Sequence, residues 1–189
     1  MILYIHGFAS SGLGSKAQVF RRYFAEQGIS FFAPSLPTIP ALAIQTLEEY
    51  IESKPAQQIG LIGSSLGGFY ALYLANKYKL KAVLINPAMT PYRLLNNFDS
   101  HVKHFHDGSE FEFNKDHAAF LESFHIKQPD ISSLLVMLQT GDDVLDYQVA
   151  LTQLKGAAMV VEEGGTHSFE AIERHFERIQ AFLTEPLSK

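Results

Sequence analysis

Gln58-Ile-Gly-Leu-Ile-Gly-Ser-Ser-Leu-Gly-Gly-Phe-Tyr70 decides how this chain is read, because an apolar run passes through Gly63-Ser-Ser-Leu-Gly67 straight into a helical apolar pattern. A Gly-x-Ser-x-Gly between a strand and a helix reads as a nucleophile elbow centred on Ser65. A serine hydroxyl attacks a carbonyl only if it is exposed, close to a base and next to hydrogen-bond donors for the oxyanion that forms. A sharp strand-to-helix turn meets these needs at the expense of a strained backbone. It also presses helix on strand so closely that the positions two before and two after must lack a Cβ. Gly63 and Gly67 satisfy that condition. An ordinary Gly/Ser turn is the plainer alternative, and the partners found elsewhere in the chain weigh against it.

Outward from the elbow, short apolar runs alternate with helical patterns. Ile2 to Ile5 reads as a buried strand ending at the loop His6-Gly-Phe-Ala-Ser-Ser-Gly12. Val19, Phe20, Tyr23 and Phe24 carry a helix from Ser15 to Gly28, and Ile29 to Ala33 reads as the second strand. After Pro34, Pro37 and Pro40, the apolar spacing from Leu42 to Ile51 gives a helix that stops before Pro55. Gln58 to Ile62 is the third strand, and Leu66 to Tyr78 is a helix apolar on nearly every side, as one packed deep on a sheet would be. Lys81 to Asn86, Leu134 to Gln139 and Ala157 to Val161 read as further strands, with helices at Tyr147 to Lys155 and Ser168 to Leu183. The pattern predicts an α/β fold with about six mainly parallel strands, helices on both faces and the site at the strands' carboxyl ends.

The length of 189 residues, 47% hydrophobic and 19% charged, suits one domain with a sizeable core. A formal net charge of −5, with scattered Lys and Arg, offers no basic stripe for a nucleic acid. The absence of cysteine rules out disulfides, thiolate catalysis and Cys-ligated metal. Met1 leads directly into Ile2-Leu-Tyr-Ile5 without a basic leader, and no 18-residue apolar run occurs, so a cytoplasmic protein without a membrane partner is expected.

Residues 87–131 break the alternation. Phe98, Phe105, Phe111, Phe113, Phe120 and Phe124 are interleaved there with His, Asp and Asn, and the stretch is too long for a plain loop. A small, partly helical cap is expected at the sheet edge where Ser65 sits, with its phenylalanines either lining a pocket or pinning the cap to the body.

A serine nucleophile needs a base and a group to orient that base. Among eight histidines, His167 lies in Glu162-Glu-Gly-Gly-Thr-His-Ser168, after the last strand and before the last helix, where a loop can carry its ring over the sheet edge. His175 falls mid-helix, and His101, His104 and His106 lack a carboxylate at a supporting helical spacing, so no metal is expected. The acid should follow the strand Leu134 to Gln139, in Thr140-Gly-Asp-Asp-Val-Leu-Asp-Tyr147. Asp146 stands where it would cap the next helix. Asp142 and Asp143 point to opposite sides of an extended chain, and periodicity does not choose between them.

The order serine, aspartate, histidine is that of the α/β-hydrolases. Together His6-Gly-Phe8, Gly63-Ser-Ser-Leu-Gly-Gly68, Asn86-Pro-Ala88, Thr140-Gly-Asp-Asp-Val-Leu-Asp-Tyr147 and Glu163-Gly-Gly-Thr-His167 resemble the YqiA-like esterases of bacteria over nearly the whole chain. The resemblance implies that Asp142, the first acid after Thr-Gly, is the triad member, and that the backbone N–H groups of Phe8 and Leu66 form the oxyanion hole. His6, Gly7, Ser64, Asn86 and Pro87 are the expected substrate contacts. Ester hydrolysis through an acyl-enzyme follows, on carboxylic esters or thioesters, with no cofactor. The same triad would also serve an acyltransferase or a small peptidase, or persist in a hydrolase-like binding protein. Substrate identity and oligomeric state stay open.

Overall fold

The computed structural model describes residues 1–55, 59–96 and 100–185. Six strands, β1 (Ile2–Ile5), β2 (Phe31–Phe32), β3 (Gly60–Ser64), β4 (Lys81–Ile85), β7 (Leu134–Gln139) and β8 (Ala158–Glu162), form one sheet in the order β2-β1-β3-β4-β7-β8, parallel throughout. This is the α/β-hydrolase fold. The chain runs from β1 outward to β2 and then returns to the other side of β1 as β3. The carboxyl ends of β1 and β3 therefore flank a topological switch point, where open α/β sheets bind ligands.

Alternation along each strand sorts the core into two layers. Ile2, Tyr4, Ile62, Val83, Ile85, Leu135 and Met137 face helices α1 (Ser15–Glu26) and α7 (Phe176–Thr184), meeting Phe20, Phe24, Phe176 and Ile179. Leu3, Ile5, Leu61, Leu84, Val136 and Leu138 face α2 (Pro40–Glu52), α3 (Leu66–Tyr78) and α6 (Tyr147–Gln153) on the other side. Both faces of the central strands are covered, so these strands run apolar through successive positions rather than at every second one, with Ser64, Lys81 and Gln139 at their ends.

Several elements end a residue or two from their expected bounds, and three of the departures have a physical cause. Strand β2 shrinks to two residues, because the Ile29 N–H donates to the Phe24 carbonyl to close α1. Strand β3 extends to Ser64, since Gly63 and Ser64 pair with Leu84 and Ile85; Gln58, where it was expected to begin, lies outside the described residues. Residues 168–171 are not helical. Phe169 and Ala171 have φ of 60° and 52°, and the backbone of Glu170 bonds the Gln139 amide at both ends (N–H to Oε1 2.8 Å, C=O from Nε2 3.0 Å) before a 3₁₀ turn at Ile172–His175. A buried side chain there substitutes for helical bonding.

Between β4 and β7 lie α4 (Pro91–Leu95), an antiparallel hairpin of β5 (Ser100–Lys103) and β6 (Glu110–Phe113), and α5 (Lys115–Glu122). The hairpin was not anticipated, although Glu110-Phe-Glu-Phe113 alternates with period two after the turn residues Gly108-Ser109. Asn114 opens α5 with a capping box shared with His117. Phe113 is fully buried, Phe124 packs on Tyr73 and Phe120, and Phe105 is 84% exposed; Phe98 lies outside the described residues. Phe113→Ala should therefore cost about 3–5 kcal/mol in chemical denaturation, whereas Phe120→Ala, on a half-open surface, should cost well under half of that.

Candidate active site

Ser65 joins β3 to α3 with φ 56° and ψ −122°, a region that side chains avoid and that is kept only where the surroundings enforce it. They do so from several sides. The Ser65 N–H donates to the Ile85 carbonyl (3.0 Å), and its own carbonyl accepts from Gly68 (2.9 Å) and Ala88 (3.0 Å). A Cβ on Gly67 would overlap the carbonyl oxygen of Ile5, and one on Gly63 would overlap that of Gly67. The elbow glycines thus let the first turn of α3 touch the ends of β1 and β3.

His167 arrives from the loop after β8, with Nε2 3.0 Å from Ser65 Oγ and Nδ1 2.8 Å from Asp142 Oδ2. Asp142 Oδ1 also accepts the N–H groups of Val144 (2.9 Å) and Leu145 (2.8 Å). The Asp142 side chain is 1% exposed, whereas Asp143 faces solvent and Asp146 caps α6 through the Gln148 N–H. A carboxylate fixed by two amides and turned to Nδ1 favours the tautomer in which Nε2 is free to accept a proton from Ser65.

Leu66 opens α3, so its N–H is among those with no acceptor inside the helix. The start of α3 lies against the loop after β1: a Cβ on Gly67 would overlap the His6 carbonyl, and one on Gly7 would stand 3.1 Å from Ser65 Cβ. The Phe8 ring is held edge-on by Phe111 and Phe113 (centroids 5.7 and 5.0 Å), and the Phe105 N–H donates to the Ala9 carbonyl (2.8 Å). The hairpin of the insert therefore clamps the loop carrying Phe8. His6 is buried: Nε2 accepts the Leu36 N–H (2.9 Å), so Nδ1 carries the proton and donates to the Gly7 carbonyl (2.8 Å). Burial holds this imidazole below its usual pKa, in keeping with a neutral structural role.

A cavity of about 570 Å³ opens over Ser65. Gly7 and Ser64 line it, together with Phe8, Leu66 and His167. Pro91, Leu94, Leu95, Phe105, Val144 and Leu145 supply an apolar wall. His6 lies behind the loop, beside a void of about 20 Å³. Asn86 and Pro87 do not line the cavity. Pro87 packs where a Cβ on Gly68 would stand, and Asn86 is a cross-brace: Oδ1 accepts the Gln139 N–H (3.0 Å) while Nδ2 donates to the carbonyls of Thr166 and His167 (both 3.1 Å). Sequence reasoning missed this role because it needs three loops in place. Among the described residues no group of three His, Asp or Glu could hold a metal ion, and His104 packs tilted against Phe111. Nor is any described helix long and apolar enough to cross a membrane.

A parallel sheet with a strained serine at the switch point and a histidine–aspartate pair on its hydroxyl is the arrangement of an α/β-hydrolase-fold protein. The chain belongs to the uncharacterised protein family UPF0227, whose model matches residues 1–184, and this is the YqiA-like family that the motifs resemble. A UPF0227 protein of Serratia proteamaculans is 31% identical across 98% of this chain and 100% of its own, and the YcfP protein of Escherichia coli 26% across 97% and 99%. Similar solved structures include Est1E from Butyrivibrio proteoclasticus with ferulic acid bound (TM-score 0.71, 16% identity, 100% of this chain and 89% of that one). The esterase domain of a Rhodothermus marinus protein compares at TM-score 0.71 and 19% identity over 99% and 87%. These likenesses establish the fold.

Asn86→Ala should strand the Gln139 N–H and the His167 carbonyl, while the Thr166 carbonyl keeps the Phe169 N–H, lowering stability by about 2–4 kcal/mol in chemical denaturation. The same variant should loosen the His167 loop, seen as faster hydrogen exchange at the Thr166 and Phe169 amides.

Proposed function

We propose that this protein is a serine hydrolase of carboxylic esters, acyl-thioesters included, working through an acyl-enzyme on Ser65. The observation that carries the reading is the continuous hydrogen-bonded chain from Ser65 Oγ through His167 to the buried Asp142 carboxylate. The esterases among the structural neighbours lend it support.

In this scheme Ser65 Oγ attacks the carbonyl carbon as His167 Nε2 takes its proton, and Asp142 stabilises the imidazolium. The N–H groups of Leu66 and Phe8 receive the oxyanion. Collapse of the tetrahedral adduct breaks the bond to the alcohol or thiol, which leaves with the proton from His167. Water then repeats the sequence: His167 deprotonates it, the acyl–Ser65 bond breaks, and Ser65 recovers its proton as the carboxylic acid departs. No cofactor is needed. The chain works as one domain in which residues 87–131 form a cap, and the apolar wall from α4, Phe105 and the 144–145 turn receives an acyl chain, with each methylene contributing up to about 0.8 kcal/mol.

Ser65→Ala should stay folded and lose at least about 10⁴ in kcat, while the parent protein should label rapidly with a fluorophosphonate. Substantial turnover by Ser65→Ala would refute the assignment. Asp142→Asn should cost on the order of 10⁴ in kcat and Asp143→Asn little; the reverse ranking would exchange their roles. Phe105→Ala should shift the acyl-length optimum of kcat/KM over a panel of esters, whereas Phe113→Ala should lower stability and leave that optimum in place.

A further inference from the structure

Lys16 lies in the first turn of α1, on the wall of the cavity, and its Nζ donates to Ser64 Oγ at 2.8 Å. Ser64 precedes the nucleophile. Among the described residues no carboxylate stands within ion-pair distance of Nζ. Asp142 attracts it only through space, and the oxygens of Asp142 are occupied by His167 and two backbone amides. Lys16 is half-buried, and a lysine withdrawn from water without a carboxylate partner is uncommon, since desolvating an ammonium is costly. This burial, against the opposing pull of Asp142, pushes the Lys16 pKa down to about 8, which leaves the side chain mostly charged at neutral pH.

The surroundings extend the same polarity. Ser10, Ser11 and Ser15 line the cavity beside Lys16, and α1 begins there at Gly14, which has no side chain to cap the free N–H groups. A helix N-terminus favours negative charge. No Asp or Glu is among the described residues that line the cavity, although the whole chain carries a net charge of −5. The wall from Leu94 to Val144 is apolar. The cavity therefore has one greasy side and one cationic, hydroxyl-rich side.

We infer that Lys16 is a specificity-determining residue that binds a carboxylate carried by the substrate, so that the preferred ester or thioester is an anion such as the half-ester of a dicarboxylic acid. The inference rests on the hydrolase reading above and names its substrate class. A single ammonium with neighbouring hydroxyls suits a monoanionic carboxylate; a phosphate group favours additional cations or an arginine fork, and no arginine is among the described residues that line this cavity. Bound carboxylate would use the Nζ protons not given to Ser64. Because Ser64 adjoins Ser65, the carboxylate would lie only a few bonds from the scissile carbonyl.

The test compares monomethyl succinate, glutarate and adipate with methyl butyrate, valerate and hexanoate by pH-stat. For the parent protein the anionic-to-neutral ratio of kcat/KM should exceed one for at least one pair. It should fall about tenfold or more in Lys16→Met, chiefly through KM, and be partly restored in Lys16→Arg. The ammonium is present below its pKa and lost above it, so the ratio should decline as pH rises through about 8 in the parent and stay flat in Lys16→Met. An unchanged ratio, or an equal loss on both ester types, would overturn the inference and leave Lys16 a structural neighbour of Ser64. Calorimetric binding of glutarate to Ser65→Ala, lost in Ser65→Ala/Lys16→Met, reads the anion site without turnover. If no ester is hydrolysed, the hydrolase reading fails while this titration still decides the site; glutarate binding that survives Lys16→Met, or inorganic phosphate binding more tightly than glutarate, would overturn it.

Discussion

The close approach of α3 to the ends of β1 and β3 is the constraint on which the rest of this molecule depends. With the first turn of the helix lying against the Ile5 carbonyl, the chain can pass from β3 to α3 only through a strained residue, and Ser65 takes that position. Strain of this kind costs on the order of 1–3 kcal/mol and persists only where neighbours leave no alternative. Here the β4 terminus supplies the acceptor for its N–H, while α3 and the loop after β4 supply donors for its carbonyl. The hydroxyl is thereby held above the sheet edge.

Two buried amides then organise the loops around that point. Asn86 ties the end of β4 to β7 and to the backbone at His167, and Gln139 ties β7 to Glu162 and to the backbone of Thr166 and Glu170. No described buried side-chain nitrogen or oxygen lacks a partner. Fully satisfied polar networks of this type rigidify a site, because each member would be expensive to leave unpaired in a low dielectric. They also explain why residues 168–171 depart from a helix that their apolar spacing permits.

The segment between β4 and β7 contributes differently at its two ends. The β6 phenylalanines anchor it and brace Phe8, while α4 and Phe105 face the open cavity. Apolar packing toward the body and a greasy wall toward the ligand space are thus divided among residues that look alike in sequence.

What the sequence by itself determined was local and periodic: the six strand runs of the main sheet, the all-round apolar helix α3, the Gly-x-Ser-x-Gly turn, and the histidine and aspartates that end strands on one side. Those signals are strong because a doubly covered parallel sheet demands continuous apolar strands, and a tight turn demands glycine. Spacing left Asp142 and Asp143 equivalent, and resemblance alone favoured Asp142; the tertiary structure turns its carboxylate to His167 and leaves Asp143 in solvent. Only the fold made Asn86 a brace instead of a cavity residue, and made Phe113 core while Phe105 stayed open. Lys16 shows the same divide most plainly, since in sequence it is one more charge in the first turn of a helix, and its meaning comes from a hydroxyl 48 residues away. A side chain's chemistry depends on its dielectric surroundings and partners, and those are set by long-range packing that no local pattern encodes.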